Sequence, residues 1–265
     1  MRDKSAHLEF DYHYLRKKIL EKGEIDLDAY KPRQMQRRIR EISQKMGYSD
    51  LKQYWRFLEK NPLEFRKFLD YLAINWSEFF RDPDRFEELE NSIIPKLLRK
   101  TPNLRIWSAA CAGGEEPYSV AIILEEKYPQ VTTRILATDI DEAALEKAKV
   151  GIYDKMVLRN VSPARLNRFF IPRQDKFEVR EEIKRRVRLK KFNLLQDDFP
   201  KEFFWLILCR NVIIYFEEEI KERLIIKFYH ALRRGGILFL GGTEKILNPQ
   251  ELGFKPVGNC FYQKI

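Results

Sequence analysis

The segment WSAACAGGEEPYS, residues 107–119, constrains this chain more than any other. Its apolar start reads as a strand, Ala112-Gly113-Gly114 as a tight turn, and Pro117-Tyr118-Ser119 as a helix start. Strand, glycine turn and helix make the usual cradle for a nucleotide phosphate. Here two carboxylates, Glu115 and Glu116, stand where the phosphate would sit. They suit a helix N-terminus but repel a phosphate. A ligand for this turn has to tolerate acids.

The rest of the C-terminal part repeats the alternation. RILATDID (134–141) reads as a second strand ending in acids, and EAALEKAKVGIY as the next helix. KFEVREEIKRRVRLKKFNLL (176–195) reads as a basic β-hairpin leading into another strand. FFWLILCRNVIIYF (203–216) is apolar enough for a strand buried on both faces. EEEIKERLIIKFYHALRRGG (217–236) reads as an amphipathic helix closed by glycines, and GILFLGG and NCFYQKI as final strands. This pattern predicts an α/β, doubly wound, mostly parallel sheet. Ligands of such sheets sit beyond the C-terminal strand ends, near the point where strand order reverses.

Residues 8–70 read as helices instead. Met35, Ile39, Ile42 and Met46 recur at helical spacing, Gly47 is a helix stop, and Ser49 is the expected N-cap of the next helix. The domain division expected is 1–80, a small all-helical domain with a basic face, and 81–265, the sheet domain. The net charge of +10 concentrates in two places. Residues 31–67 carry eleven Lys/Arg against four Asp/Glu, and residues 173–191 nine against four. Such surfaces suit an acidic partner: nucleic acid, a membrane or an acidic protein. A solvated helix face explains either run alone as well.

Three cysteines without a C-x-x-C fit reduced thiols in a cytoplasm, and three scattered histidines argue against a metal site. No apolar run approaches the ~20 residues of a membrane span, so no membrane insertion is expected. The charged start MRDKSAHLEFDYHYLRKK does not read as a signal peptide.

Residues just after the strands are the candidate ligand contacts. Asp139 follows the second strand, where a carboxylate can accept both hydroxyls of a ribose. Taken alone, Gly113-Gly114 is also a plain turn and Asp139 also a helix cap. Arg210 and Asn211 end the fourth strand, where burial demands hydrogen bonds, to a structural network or to a ligand. S-adenosylmethionine answers the opening segment chemically. It has a ribose, a sulfonium and an amino-acid tail with an ammonium, and no phosphate.

The same residues carry a family resemblance. NWSEFFRD (75–82), WSAACAGGEEPYS, ATDID (137–141), FNLL (192–195) and LCRNVIIYF (208–216) resemble, in order, the motifs of the CheR family of chemoreceptor glutamate methyltransferases. The resemblance spans about residues 8–265. It implies an S-adenosylmethionine-dependent methyltransferase fold with an N-terminal helical domain and a β-subdomain inserted at about 171–192. It implies cofactor contacts from Asn75, Ser77, Arg81, Glu115, Asp139, Asn193, Leu194, Arg210 and Asn211, with Glu115 preferred over Glu116. Arg81 and Tyr215 are the candidates for placing the substrate carboxylate near the methyl group; an ion pair of Arg81 with Asp82 or Asp84 is the plainer alternative.

The implied substrate is the acidic helical methylation region of chemoreceptors, docked by Arg33, Arg37, Arg38 and Arg40, with S-adenosylhomocysteine as the product. A cytoplasmic monomer that binds no nucleic acid is expected. There are departures. The family's usual C-S-T-G-E-E is Cys111-Ala112-Gly113-Gly114-Glu115-Glu116 here, so two hydroxyls are missing. Trp205 stands where an acidic residue is common. The loop at 172–176 lacks the glycines of members that dock a receptor's C-terminal peptide, so direct docking on the receptor stalk is expected. Two alternatives stay open. A nucleic-acid methyltransferase would fit the basic charge, although no Asp/Asn-Pro-Pro-Tyr follows the fourth strand. A non-catalytic interaction module could keep the fold alone.

Overall fold

The computed structural model describes residues 2–22, 26–72 and 77–265, with side-chain surroundings from residue 12 onward. Asn75 lies outside the described residues. The chain forms two compact units: Met1–Asn75 with Tyr215–Lys221, and Trp76–Ile214 with Glu222–Ile265. No described helix is long and apolar enough to cross a membrane.

The first unit holds α1 (Arg2–Glu21), α2 (Pro32–Lys45), α3 (Leu51–Lys60) and α4 (Pro62–Leu72). Pro32 opens α2 at its first turn, where a missing N–H costs nothing. Gly47, at φ +83°, ends the helix as expected. Asp50, not Ser49, caps α3: its carboxylate accepts the N–H of Lys52 at 2.8 Å. Met35 and Ile39 are buried against Leu15, Ile19, Tyr54, Trp55 and Phe68. Met46 lies past the end of α2 and is 39% exposed; Ser43 completes the buried face in its place. Segment 215–221 belongs to this unit. Tyr215 O accepts the N–H of Lys31 at 2.9 Å, and the rings of Phe216 and Tyr30 pack 4.8 Å apart.

The second unit begins with α5 (Pro83–Glu88) and α6 (Ile94–Leu98), joined by a wide π-type turn. Five parallel strands follow in the main sheet: β1 (Ile106–Ala109), β2 (Ile135–Asp139), β6 (Val187–Lys191), β7 (Phe204–Cys209) and β8 (Leu232–Leu240). Its antiparallel edge is β10 (Phe261–Lys264) and β9 (Phe254–Gly258). Strand order is β6-β2-β1-β7-β8-β10-β9, so the order reverses between β1 and β7. Helices α7 (Glu115–Lys127), α8 (Glu142–Val150) and α11 (Glu218–Ala231) connect the strands. β1 is buried along its whole length and β7 nearly so, as parallel strands covered on both faces must be. Trp107 packs among Phe192, Phe199, Phe204 and Phe228, and its indole N–H donates to Thr138 Oγ1 at 2.8 Å.

Three expectations are corrected here. The segment 176–191 is no hairpin. Its first half, β5 (Lys176–Val179), joins β3 (Ile152–Asp154) and β4 (Phe170–Arg173) in a small antiparallel sheet, while β6 runs parallel to β2. The small sheet therefore draws its strands from 152–179, and the short helix α10 (Glu181–Lys184) separates it from β6. Alternating charge let the two strands look paired. The strand expected over 203–216 stops at Cys209, because Asn211 turns left-handed at φ +60°. The helix expected to 236 stops at Ala231, and Arg233-Arg234-Gly235 already lies in β8.

Candidate functional site

The C-terminal ends of β1, β2 and β7 meet where strand order reverses. Beyond β1 the backbone is bent three times into the left-handed region, at Ala110 (φ +63°), Ala112 (φ +47°) and Gly114 (φ +90°). For alanine this region costs about 1 kcal/mol or more, so the surroundings must impose it. Asp139 does so: its Oδ2 accepts the N–H of Ala112 at 2.8 Å and its Oδ1 the N–H of Asp141 at 3.0 Å. The cap of α8 is Asp141 instead, which accepts from Ala143 and Ala144. Tyr153 donates its hydroxyl to Gly113 O at 2.6 Å. At Gly114 only glycine fits, since a Cβ would stand 2.8 Å from that of Ala148.

Glu115 and Glu116 form the first turn of α7, and both are buried. Their partners separate their roles. Glu116 accepts from Ser108 Oγ at 2.7 Å and faces Arg210 at 3.5 Å. Glu115 Oε1 pairs with Lys147 Nζ at 2.7 Å, and Oε2 is buried with no hydrogen-bond partner. Burial pushes both carboxyls above the usual range, against the pull of Lys147 on Glu115 and of Arg210 on Glu116. Asp139 is likewise raised by burial, against its backbone donors. Cys111 and Cys209 are buried thiols pushed well up by desolvation, unlike reactive thiolates.

Arg210 is held in a polar network. Its guanidinium donates to Asp82 Oδ2 at 2.7 Å and to Arg81 O at 2.8 Å, and lies over the rings of Phe86 and Phe239. Asp82 is thereby engaged by Arg210. Arg81 is half-buried between two left-handed residues, Phe80 (φ +51°) and Asp82 (φ +58°). Phe80 N–H donates to Ser119 Oγ at 2.9 Å, which anchors this turn to α7. Ser77 is half-buried at the start of the same segment. Asn193 folds on itself, its Oδ1 accepting the N–H of Leu195, and Leu194 is buried beside it.

One functional candidate escaped the sequence. Glu244 is 3% exposed and accepts four backbone N–H groups: Gly241 (2.6 Å), Asn211 (2.8 Å), Val212 (2.9 Å) and Ile214 (3.3 Å). It holds Asn211 left-handed at the end of β7, with Asn211 Oδ1 buried and unpartnered. The only sequence signal is an acid two residues after the glycine pair, Gly241-Gly242, that follows β8.

Of the docking arginines, Arg33 and Arg37 are exposed on α2. Arg40 is partly buried. Arg38 is corrected. It flanks the apolar stripe beside Ile39, donates to Tyr71 O and lies over the Tyr71 ring, so it ties α2 to the end of α4.

The open chemistry at the strand ends is acceptor chemistry: a bare carboxylate oxygen on Glu115, spare lone pairs on Asp139 and the amide oxygen of Asn211. It fits a ligand that donates, with ribose hydroxyls and an ammonium, and S-adenosylmethionine offers both. Residues 75–259 match the CheR methyltransferase S-adenosylmethionine-binding domain, and residues 11–73 the CheR methyltransferase all-alpha domain. The chain is 39% identical to a chemotaxis protein methyltransferase of Listeria innocua, over 97% of this chain and 98% of that one. It is 38% identical to that of Listeria monocytogenes over the same shares, and 35% identical to that of Borreliella burgdorferi over 87% and 86%. Matched by both domains and by relatives along nearly its whole length, the chain belongs to the CheR family of S-adenosylmethionine-dependent methyltransferases.

Proposed function

We infer that this methyltransferase esterifies glutamate side chains in the acidic helical methylation region of chemoreceptors, in the cytoplasm. The observation that carries the reading is the acceptor-lined end of β1 and β2, with Glu115 Oε2 left bare, in a chain whose relatives are named chemotaxis methyltransferases. When bound, the cofactor supplies an electrophilic methyl group on a sulfonium. In the residue roles we assign, Asp139 holds the ribose hydroxyls, Glu115 the tail ammonium, and Ser77, Asn193, Leu194 and Asn211 complete the nucleoside surround, with Asn75 carried over by its motif. Arg210 supports that surround through Glu116 and Asp82.

The attacking group is a carboxylate, ionised at neutral pH since its ordinary pKa is about 4.3. No strong general base is required, so the protein's contribution is orientation and exclusion of water. Arg81 is assigned to the substrate carboxylate, and Tyr215 to the vicinity of the methyl group. Arg33, Arg37 and Arg40 give α2 a cationic face that complements an acidic helix bundle. The test is methyl transfer from labelled cofactor to receptor-containing membranes. Base-labile label that disappears when receptor glutamates are replaced by alanine supports the reading. Label that survives those replacements, or appears on RNA instead, overturns it.

A further inference from the structure

Glu115 and Lys147 form an adjacent anion and cation at the turn after β1, with Nζ and Oε1 2.7 Å apart. The glutamate is fully buried, but the lysine side chain is 47% exposed. Its ammonium uses one donor on Glu115 and lies 5.4 Å from the Tyr153 ring centre. An ammonium has three donors, so two remain for the open side. Glu115 Oε2 is buried and unpartnered beside it. Gly113 keeps this corner clear. A Cβ there would stand 2.9 Å from Lys147 Nζ and 2.8 Å from Glu115 Oε1. Any side chain at 113 would displace the ammonium.

An amino-acid tail carries an ammonium and a carboxylate on one carbon, a few ångströms apart. A buried carboxylate and a half-exposed ammonium in contact present the opposite charges at matching spacing. We propose that Lys147 is a binding residue for the cofactor's tail carboxylate, paired with Glu115 for the tail ammonium, and that Gly113 makes room for it. This rests on the cofactor assignment. It also gives the Ala112-Gly113 sequence a physical sense: this turn leaves space for a cation from α8.

The experiment is calorimetric titration of the full chain and its Lys147→Met variant with four probes. These are S-adenosylhomocysteine, S-adenosylmethionine, decarboxylated S-adenosylmethionine (which keeps ammonium and sulfonium) and 5′-methylthioadenosine (which has no tail). Lys147→Met weakens S-adenosylhomocysteine tenfold or more and leaves 5′-methylthioadenosine within twofold. It also erases the wild-type preference for S-adenosylmethionine over its decarboxylated form, and Lys147→Arg retains that preference. Losing Lys147 leaves the buried Glu115 without its cation, so the melting temperature falls, and a circular-dichroism spectrum matching wild type at the titration temperature verifies the fold. If S-adenosylhomocysteine binds the variant within twofold of wild type, the proposal is overturned. Equal weakening of the carboxylated and decarboxylated cofactors also overturns it, since Lys147 would then act only through Glu115. A wild-type chain that binds none of the probes overturns the cofactor site itself, and the proposal with it.

Discussion

Arg210 and Glu116 face each other at 3.5 Å inside the second unit, with the arginine side chain 2% exposed and the glutamate 10%. Removing one partner of such a pair strands the other charge away from water, at about 3–5 kcal/mol. Arg210→Met is therefore expected to lower the denaturation midpoint strongly. Arg210→Met with Glu116→Gln should recover much of the loss, because no buried bare charge remains; Asp82, which also loses Arg210, is 43% exposed. Urea unfolding of the three proteins measures this. A single variant as stable as wild type would mean the pair carries no structural weight.

Glu115 has the opposite character, since one oxygen is bare and burial already holds its carboxyl above the ordinary range. A carboxyl with a raised folded pKa costs stability above that pKa, and the cost vanishes as pH falls through it. Glu115→Gln should thus be no less stable than wild type at pH 7.5. Binding follows the reverse sign, because the ammonium contact needs the ionised form. Affinity for S-adenosylhomocysteine should fall on acidification, starting above the ordinary glutamate value of about 4.3. The variant should bind about tenfold or more weakly at pH 7.5, as expected for a lost charged hydrogen bond. Its acid limb should be flatter, with Asp139 accounting for the remainder.

Glu244 sets the conformation of Asn211 through backbone donors alone. A glutamine there turns an NH2 toward some of those N–H groups, and each unsatisfied group costs about 1–3 kcal/mol. Glu244→Gln should lower both the melting temperature and S-adenosylhomocysteine affinity, while Asn211→Ala should lower affinity and lose only the ~1 kcal/mol that alanine costs in a left-handed position. If Asn211→Ala binds like wild type, Asn211 is a strand-end residue only.

Arg81 sits between two left-handed residues, a conformation that persists only where the surroundings impose it. Arg81→Ala is expected to drop turnover at least a hundredfold in the receptor methylation assay. Arg81→Lys should recover only part, since a point charge does not reproduce a bidentate fork. Normal methylation by Arg81→Ala removes Arg81 from the substrate site.

These sites differ in how far the sequence exposed them. The β1 turn was legible because glycines and acids at a strand end have few structural uses. The partition of Glu115 from Glu116 was not, since it depends on Lys147, Ser108 and Arg210 arriving from three other elements. β6 was mistaken for half of a hairpin because Val187 and Leu189 alternate with charges as an edge strand does, and β6 is the edge of the main sheet. Glu244 was invisible because its partners are backbone N–H groups, which leave no trace in residue type. The tie of Arg38 to α4 was not legible either, because a position flanking an apolar stripe can turn either way, and Tyr71 O decides it.

That last distinction yields the docking prediction. Arg33 and Arg37 are exposed, Arg37 being 76% exposed and only loosely paired with Glu41 at 3.5 Å. Such a pair is worth little, so its charge is available for steering an acidic partner. Reversing both, Arg33→Glu with Arg37→Glu, should slow association with receptor membranes severalfold at low salt, and the difference should shrink as the Debye length falls from about 10 Å at 0.1 M to about 3 Å at 1 M. S-adenosylhomocysteine binding and the melting temperature should not move. Arg38→Glu should behave differently, lowering the melting temperature because it breaks the tie between α2 and α4. Association rates measured across a salt series separate the two effects. A double reversal that binds receptor as fast as wild type at low salt would take α2 out of the docking surface.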